Sequence, residues 1–174
     1  PAPACRLYCL PAPRHSTAVI PLKFTSVSQA VRLYLAGYYP FDHPDCDHIY
    51  WHREEVRPVI YLGPDTIRKA RRIESRVRVP YVLKENTAFE EVLHILGDER
   101  VKPRSWVKGG VGSMYRELYA QGLVRTTEAW LDGRLAGALL TIEISRVCLA
   151  ETMFWLAPDS SKVCLCQAVR RYTE

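Results

Sequence analysis

No apolar run in this sequence is long enough to cross a membrane. The longest, Leu135 to Ile142, covers eight residues and contains Gly137 and Thr141, against the ~20 that a spanning helix needs. Internal repeats and low-complexity segments are missing. So are the short motifs that announce a chemistry: there is no GxSxG elbow, no P-loop, no dinucleotide fingerprint and no HExxH. The opening residues, Pro1-Ala2-Pro3-Ala4-Cys5, lack the basic start and apolar core of a secretory signal. An initiator Met is absent too, so the chain is expected to be a fragment at its front end.

What is present is ordinary for a soluble globular protein. The chain has 174 residues, 48% apolar and 25% charged, which suits one domain or a domain and a half. A disordered chain, a collagen and a coiled coil are excluded. Six cysteines stand at Cys5, Cys9, Cys46, Cys148, Cys164 and Cys166. A chain this long and apolar needs no disulfide staples, and Cys164 and Cys166, two apart on a helix, cannot face each other. Reduced thiols and an intracellular setting are expected.

The net charge is +5, but it is uneven. Between Arg68 and Arg78 lie six cations (Arg68, Lys69, Arg71, Arg72, Arg76, Arg78) and one acid, Glu74. A run of this kind is as often a solvated helix face as a phosphate groove, and a polyanion is the partner it would suit.

Periodicity divides the chain. Residues 1–25 are broken by Pro1, Pro3, Pro11, Pro13 and Pro21 and should be extended or partly disordered. Ser26 caps a short helix carrying Val27, Ala30, Val31 and Tyr34, with Gly37 just beyond it. Tyr38 to Phe41 is extended, and 42–47 is a polar loop. Ile49 to Trp51 and Val56 to Leu62 read as strands, at an edge because of Pro58. Asp65 caps a basic helix over Thr66 to Ser75. Val77 to Leu83 alternates as a strand. Thr87 and Glu90 form a capping box for a helix with Phe89, Val92, Leu93 and Leu96 on one face. Val111 to Gln121 is a helix closed by Gly122. Val124 to Leu131, the turn Asp132-Gly133 and Arg134 to Ile142 form a hairpin. Val147 to Trp155 is a third strand, and Ser160 or Ser161 caps a last helix. The pattern predicts an antiparallel α+β fold.

Several residues stand out chemically. Glu151 sits in the apolar run Val147 to Trp155, where a carboxylate is costly unless paired or used. Strict alternation puts it on the face of Leu149 and Met153; an exposed face of an edge strand is the bland alternative. Trp51 and Trp106 both stand beside cations, which suits stacking on a base, although tryptophan is more often core. His43, Cys46, Asp47 and His48 hold metal-ligand chemistry at a spacing that fits no zinc pattern. No metal site is expected.

In order along the chain, these segments resemble the leucyl/phenylalanyl-tRNA protein transferases. Tyr34-Leu35-Ala36-Gly37-Tyr38-Tyr39-Pro40-Phe41 is similar to the family's AYRxGIFPW. Ile49-Tyr50-Trp51-His52 followed by Arg57-Pro58-Val59-Ile60 is similar to LWWSPDPRAVL. Ala88-Phe89-Glu90-Glu91-Val92, Ser105-Trp106-Val107 and Tyr115 to Gly122 follow AFxxVI, TWI and AYxxLHxLG. Glu128-Ala129-Trp130 with Arg134 to Ala138 follows VEVWxxxxLVGG. Ala150-Glu151-Thr152-Met153-Phe154 with Ser160-Ser161-Lys162 follows GESMFSxxxNASK. The likeness covers about residues 26–172.

The resemblance implies a GNAT-like acyltransferase fold (a mixed, mostly antiparallel sheet with flanking helices) over 81–174. That domain would stand behind a small N-terminal α+β domain at 26–80 and the lead at 1–25. It implies transfer of Leu or Phe from aminoacyl-tRNA to the α-amine of a protein beginning with Arg or Lys, as N-end rule degradation tagging. The tRNA ester is already activated, so no cofactor is expected. The unperturbed α-amine, with a pKa of about 7.7–8.0, needs only a mild base and good positioning. Carried over residue by residue, Glu151 is the essential Glu, and Leu139, Met153 and Cys148 fall in the aminoacyl pocket. Trp51 and Trp106 hold the aminoacyl-adenosine, and Arg68, Lys69, Arg71, Arg72 and Arg76 contact tRNA. A cytoplasmic monomer is expected, with organelle delivery left open.

Departures are His52 for the second tandem tryptophan, Ala150 for the Gly before the Glu, and Cys148 for an aromatic residue. The family's SRS before the basic helix is absent. Members also continue into a strand carrying an Asp and a Gln beyond the position of Glu174. A non-catalytic tRNA- or N-degron-binding relative is therefore the alternative. An acyl-CoA N-acetyltransferase is disfavoured, because Leu156 to Ser161 has a proline and an acid where that chemistry wants a glycine-rich turn.

Overall fold

The computed structural model describes residues 16–42, 48–102 and 105–173. It is α+β, with two antiparallel sheets among the described residues. The described residues form two compact units. One holds the chain up to Pro58 together with Trp106–Glu117; the other holds Val59–Ser105 and Leu118–Glu174. The basic helix packs with the last helix of the chain, within the second unit.

The first unit is built on strands β1 (Ser16–Lys23), β2 (Tyr38–Asp42) and β3 (His48–Glu54), in the order β1-β3-β2. The lead residues 16–23 are therefore a paired strand, and Pro21 is tolerated because β1 is an outer strand. β3 is central, not an edge as expected. Helix α1 (Val27–Leu35) starts where Ser26 accepts a hydrogen bond from the Gln29 amide at 3.2 Å. It buries Val27, Ala30 and Tyr34, and Gly37 follows at φ +85°, the left-handed conformation that glycine adopts freely.

Residues 56–62 are not a strand. Val56, Val59, Ile60, Tyr61 and Leu62 are exposed and take no place in either sheet, since a β-rich composition without a pairing edge and with Pro58 inside it does not make a ladder.

The second unit centres on a four-stranded antiparallel sheet, β4-β5-β6-β7. Strands β5 (Val124–Leu131) and β6 (Arg134–Ile144) are joined by Asp132 and Gly133, both at positive φ (50° and 74°), the I′ geometry that the Asp-Gly pair favours. β7 (Val147–Trp155) is an outer strand. β4 is shorter than expected, Val82–Glu85. Pro80 interrupts the alternation before it, and Val77 and Tyr81 pack as side chains on the core instead.

Helix α2 (Pro64–Glu74) begins at Pro64 with Gly63 as its cap, so Asp65 is a first-turn acid rather than the cap. Helices α3 (Phe89–Gly97), α4 (Gly109–Ala120) and α5 (Ser160–Arg171) complete the described elements. Neither expected serine caps α5. Asp159 holds that position at φ 63°, and Ser160 Oγ lies 2.8 Å from the carbonyls of both Ala136 and Ala157. The core under α5 joins Ala129 and Leu139 of the sheet to Val163, Cys164 and Ala168. At the far end of α5, Arg171 reaches Glu85 at 2.7 Å and Glu143 at 3.1 Å, and Arg125 adds a 2.9 Å bond to Glu143.

Candidate active site

Within the second unit, Glu151 stands where the β6–β7 ladder slips. Leu140 pairs with Thr152 and Thr141 pairs with Ala150, so Glu151 is the extra residue of a β-bulge. A bulge bends the strand and re-aims a side chain. The strict alternation that placed Glu151 with Leu149 and Met153 is broken at that point. Glu151 is half-buried, on an outer strand. Next to it, the buried hydroxyl of Thr152 accepts a hydrogen bond from the Lys102 ammonium. Burial lowers the pKa of that ammonium, and the charge of Glu151 works against the lowering.

The residues expected to line an apolar pocket separate by burial. Leu139 is fully buried beneath α5. Met153, its cross-strand partner, is half-buried against the same cluster. Leu139 therefore supports Met153 from within the core and presents no surface of its own. Cys148 is a half-buried free thiol. Burial raises its pKa, with a bond to Tyr172 acting in the other direction. A separate cleft of about 410 Å³ lies at the opposite end of the strands, between Leu131, Arg134, Leu135, Leu156 and Ala157.

The basic helix shows its cations to solvent. Arg68, Lys69, Arg71, Arg72 and Arg76 are all exposed. Ala70 is the buried contact, against Cys166 and Val169 of α5. The single acid of the run, Glu74, is held by Arg170 at 3.2 Å. Asp65 pairs with Arg68, and the remaining face is positive.

In the first unit, Trp51 is core. It is 1% exposed and meets Tyr34 edge-on at 5.3 Å, so it offers no face for a base to stack on. Its neighbour His52 emerges on the other side of the sheet. There Phe41 lies 4.7 Å from His52 and 5.1 Å from Trp106, Tyr39 lies 5.5 Å from Phe41, and Arg57 covers Tyr39 at 4.9 Å. Burial lowers the His52 pKa, with Glu54 pulling the other way, so the ring is neutral near pH 7. Only Trp106 of the two expected tryptophans joins this half-buried aromatic group. His52 stands at the position of the family's second tandem tryptophan, whereas Tyr39 and Phe41 were not singled out; the strand alternation that turns Trp51 inward turns His52 to the other face and is the signal that groups them.

Two carboxylates are occupied by helix starts. Glu128, fully buried in β5, accepts from the amides of Thr87 and Ala88 at 3.0 Å each, from Thr126 Oγ1 at 2.7 Å and from the Thr87 hydroxyl. The expected Thr87–Glu90 capping box is thus replaced. Ala88 is the cap residue, and its missing side-chain bond is supplied across the sheet. Asp42 does the same for α4, accepting from the amides of Lys108 at 2.6 Å and Val111 at 3.0 Å. Burial raises its pKa, and those amides offset the rise. Residues 43–47, with His43, Cys46 and Asp47 of the metal-ligand cluster, lie outside the described residues.

The protein is thus of the α+β class, with an antiparallel sheet carrying a bulged half-buried carboxylate and a packed helix whose free face is basic. A family model, that of the leucyl/phenylalanyl-tRNA protein transferases, matches residues 61–174, the stretch that contains both features. Relatives bearing that enzyme's name include those of Prosthecochloris aestuarii (33% identical over 148 residues, 84% of this chain and 75% of the relative) and Laribacter hongkongensis (32% over 148 residues, 84% and 62%). That of Gloeobacter violaceus is 29% identical over 142 residues, 81% of this chain and 71% of its own. The chain belongs to the leucyl/phenylalanyl-tRNA protein transferase family, a family of transferases. It spans less than the full length of each of these relatives.

Proposed function

We propose that this chain is the aminoacyl-tRNA–using part of an enzyme that moves Leu or Phe onto the N-terminal α-amine of proteins beginning with Arg or Lys, tagging them for degradation. The observation that carries the reading is the family match across β7, the strand that holds Glu151 at its bulge.

In the reaction the amine nitrogen attacks the carbonyl carbon of the aminoacyl ester. The new C–N bond forms as the ester C–O bond breaks. The ribose hydroxyl leaves with a proton, and the amine gives one up. Glu151, ionised, orients the amine and takes its proton, which suits an amine titrating near pH 8. Met153 and Cys148 line the apolar pocket, with Leu139 as support beneath Met153. Shape discrimination there is worth ~1–3 kcal/mol per methylene. Trp106 with Phe41, Tyr39 and His52 forms the stacking face for the terminal adenosine, a role assigned to Trp51 by motif alone. Arg68, Lys69, Arg71, Arg72 and Arg76 hold tRNA phosphates. A GNAT-like acyltransferase fold is consistent with the antiparallel sheet and its flanking helices.

The test uses tRNA carrying labelled Leu or Phe and a reporter peptide beginning with Arg. Label should move to the peptide N-terminus, and Glu151→Gln should reduce the rate by about a hundredfold or more. Salt-sensitive binding of charged tRNA without transfer would replace the enzyme reading with that of a binding relative.

A further inference from the structure

One charged group beside Glu151 is unexplained by the proposed chemistry. Lys102 is half-buried, an unusual state for a residue with a long, strongly hydrated side chain. Its backbone is held tightly. The Lys102 amide donates to the Asp98 carbonyl at 2.9 Å, and its carbonyl accepts from the Ser105 amide at 3.1 Å. The Ser105 hydroxyl in turn donates to the Leu96 carbonyl at the end of α3. Two acids, Asp98 and Glu99, share this turn, and Asp98 is engaged by Arg100 through bonds of 2.6 to 3.0 Å. The Lys102 side chain runs instead to β7. Its ammonium donates to Thr152 Oγ1 and lies 3.5 Å from the Met153 carbonyl. Those are the two residues that follow Glu151, directly after the bulge.

We propose that Lys102 is a positioning residue for Glu151: its tethered ammonium sets a positive charge beside the bulge, keeping the Glu151 carboxylate ionised and aimed. The proposal rests on the reading of Glu151 as the amine-orienting group. A neutral hydroxyl such as Thr152 could be satisfied by a neutral donor. A cation held there at the cost of desolvation is stabilised by an anion that shares the site, and the charge of Glu151 acts on it in that sense. The bulge and the lysine then work together. The bulge turns the carboxylate off the ladder, and the ammonium, fixed to the next two residues, limits where it turns.

Three substitutions separate this from a structural tether. Lys102→Met removes charge and hydrogen bond. Lys102→Gln keeps a donor for Thr152 and removes the charge. Lys102→Arg keeps the charge. The readouts are the NMR titration of the Glu151 side-chain carboxyl, assigned with Glu151→Gln, and the transfer kinetics. Losing the charge should raise the Glu151 midpoint by about one unit in both Met and Gln variants, while Arg holds it down. kcat should fall about tenfold or more in Met and Gln with little change in KM for aminoacyl-tRNA, recover in Arg, and show no further loss when Lys102→Gln is added to Glu151→Gln. A Gln variant with an unmoved Glu151 titration overturns the proposal and leaves Lys102 as a tether, whatever the kinetics show. If Glu151→Gln itself retains full transfer, the functional reading of Glu151 fails. The titration still decides whether Lys102 acts on it.

Discussion

Two strand carboxylates, the buried Glu128 and the half-buried Glu151, are divided by their surroundings. Glu128 is the deeper and is fully engaged by the start of α3. Replacing it by Ala orphans the Thr87 and Ala88 amides at once. The expected loss is about 2–4 kcal/mol of stability, read by urea denaturation with an unchanged m-value. Glu128→Gln should fall between the two, because one amide oxygen can serve only part of the set. Glu151 is shallower and stands off the ladder, so its substitution should cost transfer and little stability. The sequence marked Glu151 as unusual and passed over Glu128. The polar residues before Glu128, Arg125 to Thr127, give no sign of its burial, and its partners lie about 40 residues away in the chain, where only folding brings them near. Asp42 escaped notice for the same reason, its helix lying far downstream.

At the scale of elements, the seating of α5 on the sheet depends on Gly137. A Cβ there would meet Ser160 Oγ well inside contact, Ser160 Cβ at 2.8 Å and the Phe154 carbonyl at 3.0 Å. Gly137→Ala must push α5 away from β6, and the Phe154 carbonyl, part of the backbone, cannot yield. A loss of about 1–3 kcal/mol is expected, seen as a lower Tm and as faster exchange of the amides at the start of α5. Because Met153 packs on the same cluster as α5, transfer should drop as well. Helix α1, the Asp-Gly hairpin and β7 were legible from Ser26, from Asp132-Gly133 and from alternation, since each is specified by chemistry within a few residues. Residues 56–62 and 77–81 were not. Their composition favours strand, but a strand exists only with a pairing edge.

Across the molecule, the charge that matters is concentrated on α2. With Glu74 held by Arg170 and Asp65 by Arg68, the helix keeps Lys69, Arg71 and Arg72 exposed toward solvent, and Arg76 just beyond its end is exposed as well. Changing Arg71 and Arg72 together to Ala should weaken binding of any tRNA, charged or not. It should also flatten the plot of log binding constant against log salt by about 0.7–0.9 for each phosphate that is no longer neutralised. An unaltered salt slope would return α2 to the status of a solvated face.

Amphipathic spacing, turn residues and the +5 surplus are local properties, and from them alone the chain was readable as an antiparallel α+β protein with a basic helix and a suspicious glutamate. The ordered segments also carried the family. Which tryptophan is core and which is half-exposed, which glutamate caps a helix and which stands at a bulge, and that Lys102 meets β7, could not be read that way. Each depends on a strand register or on an approach of residues far apart in the chain, and the free energy of burial that chooses among them exists only once the sheets are formed.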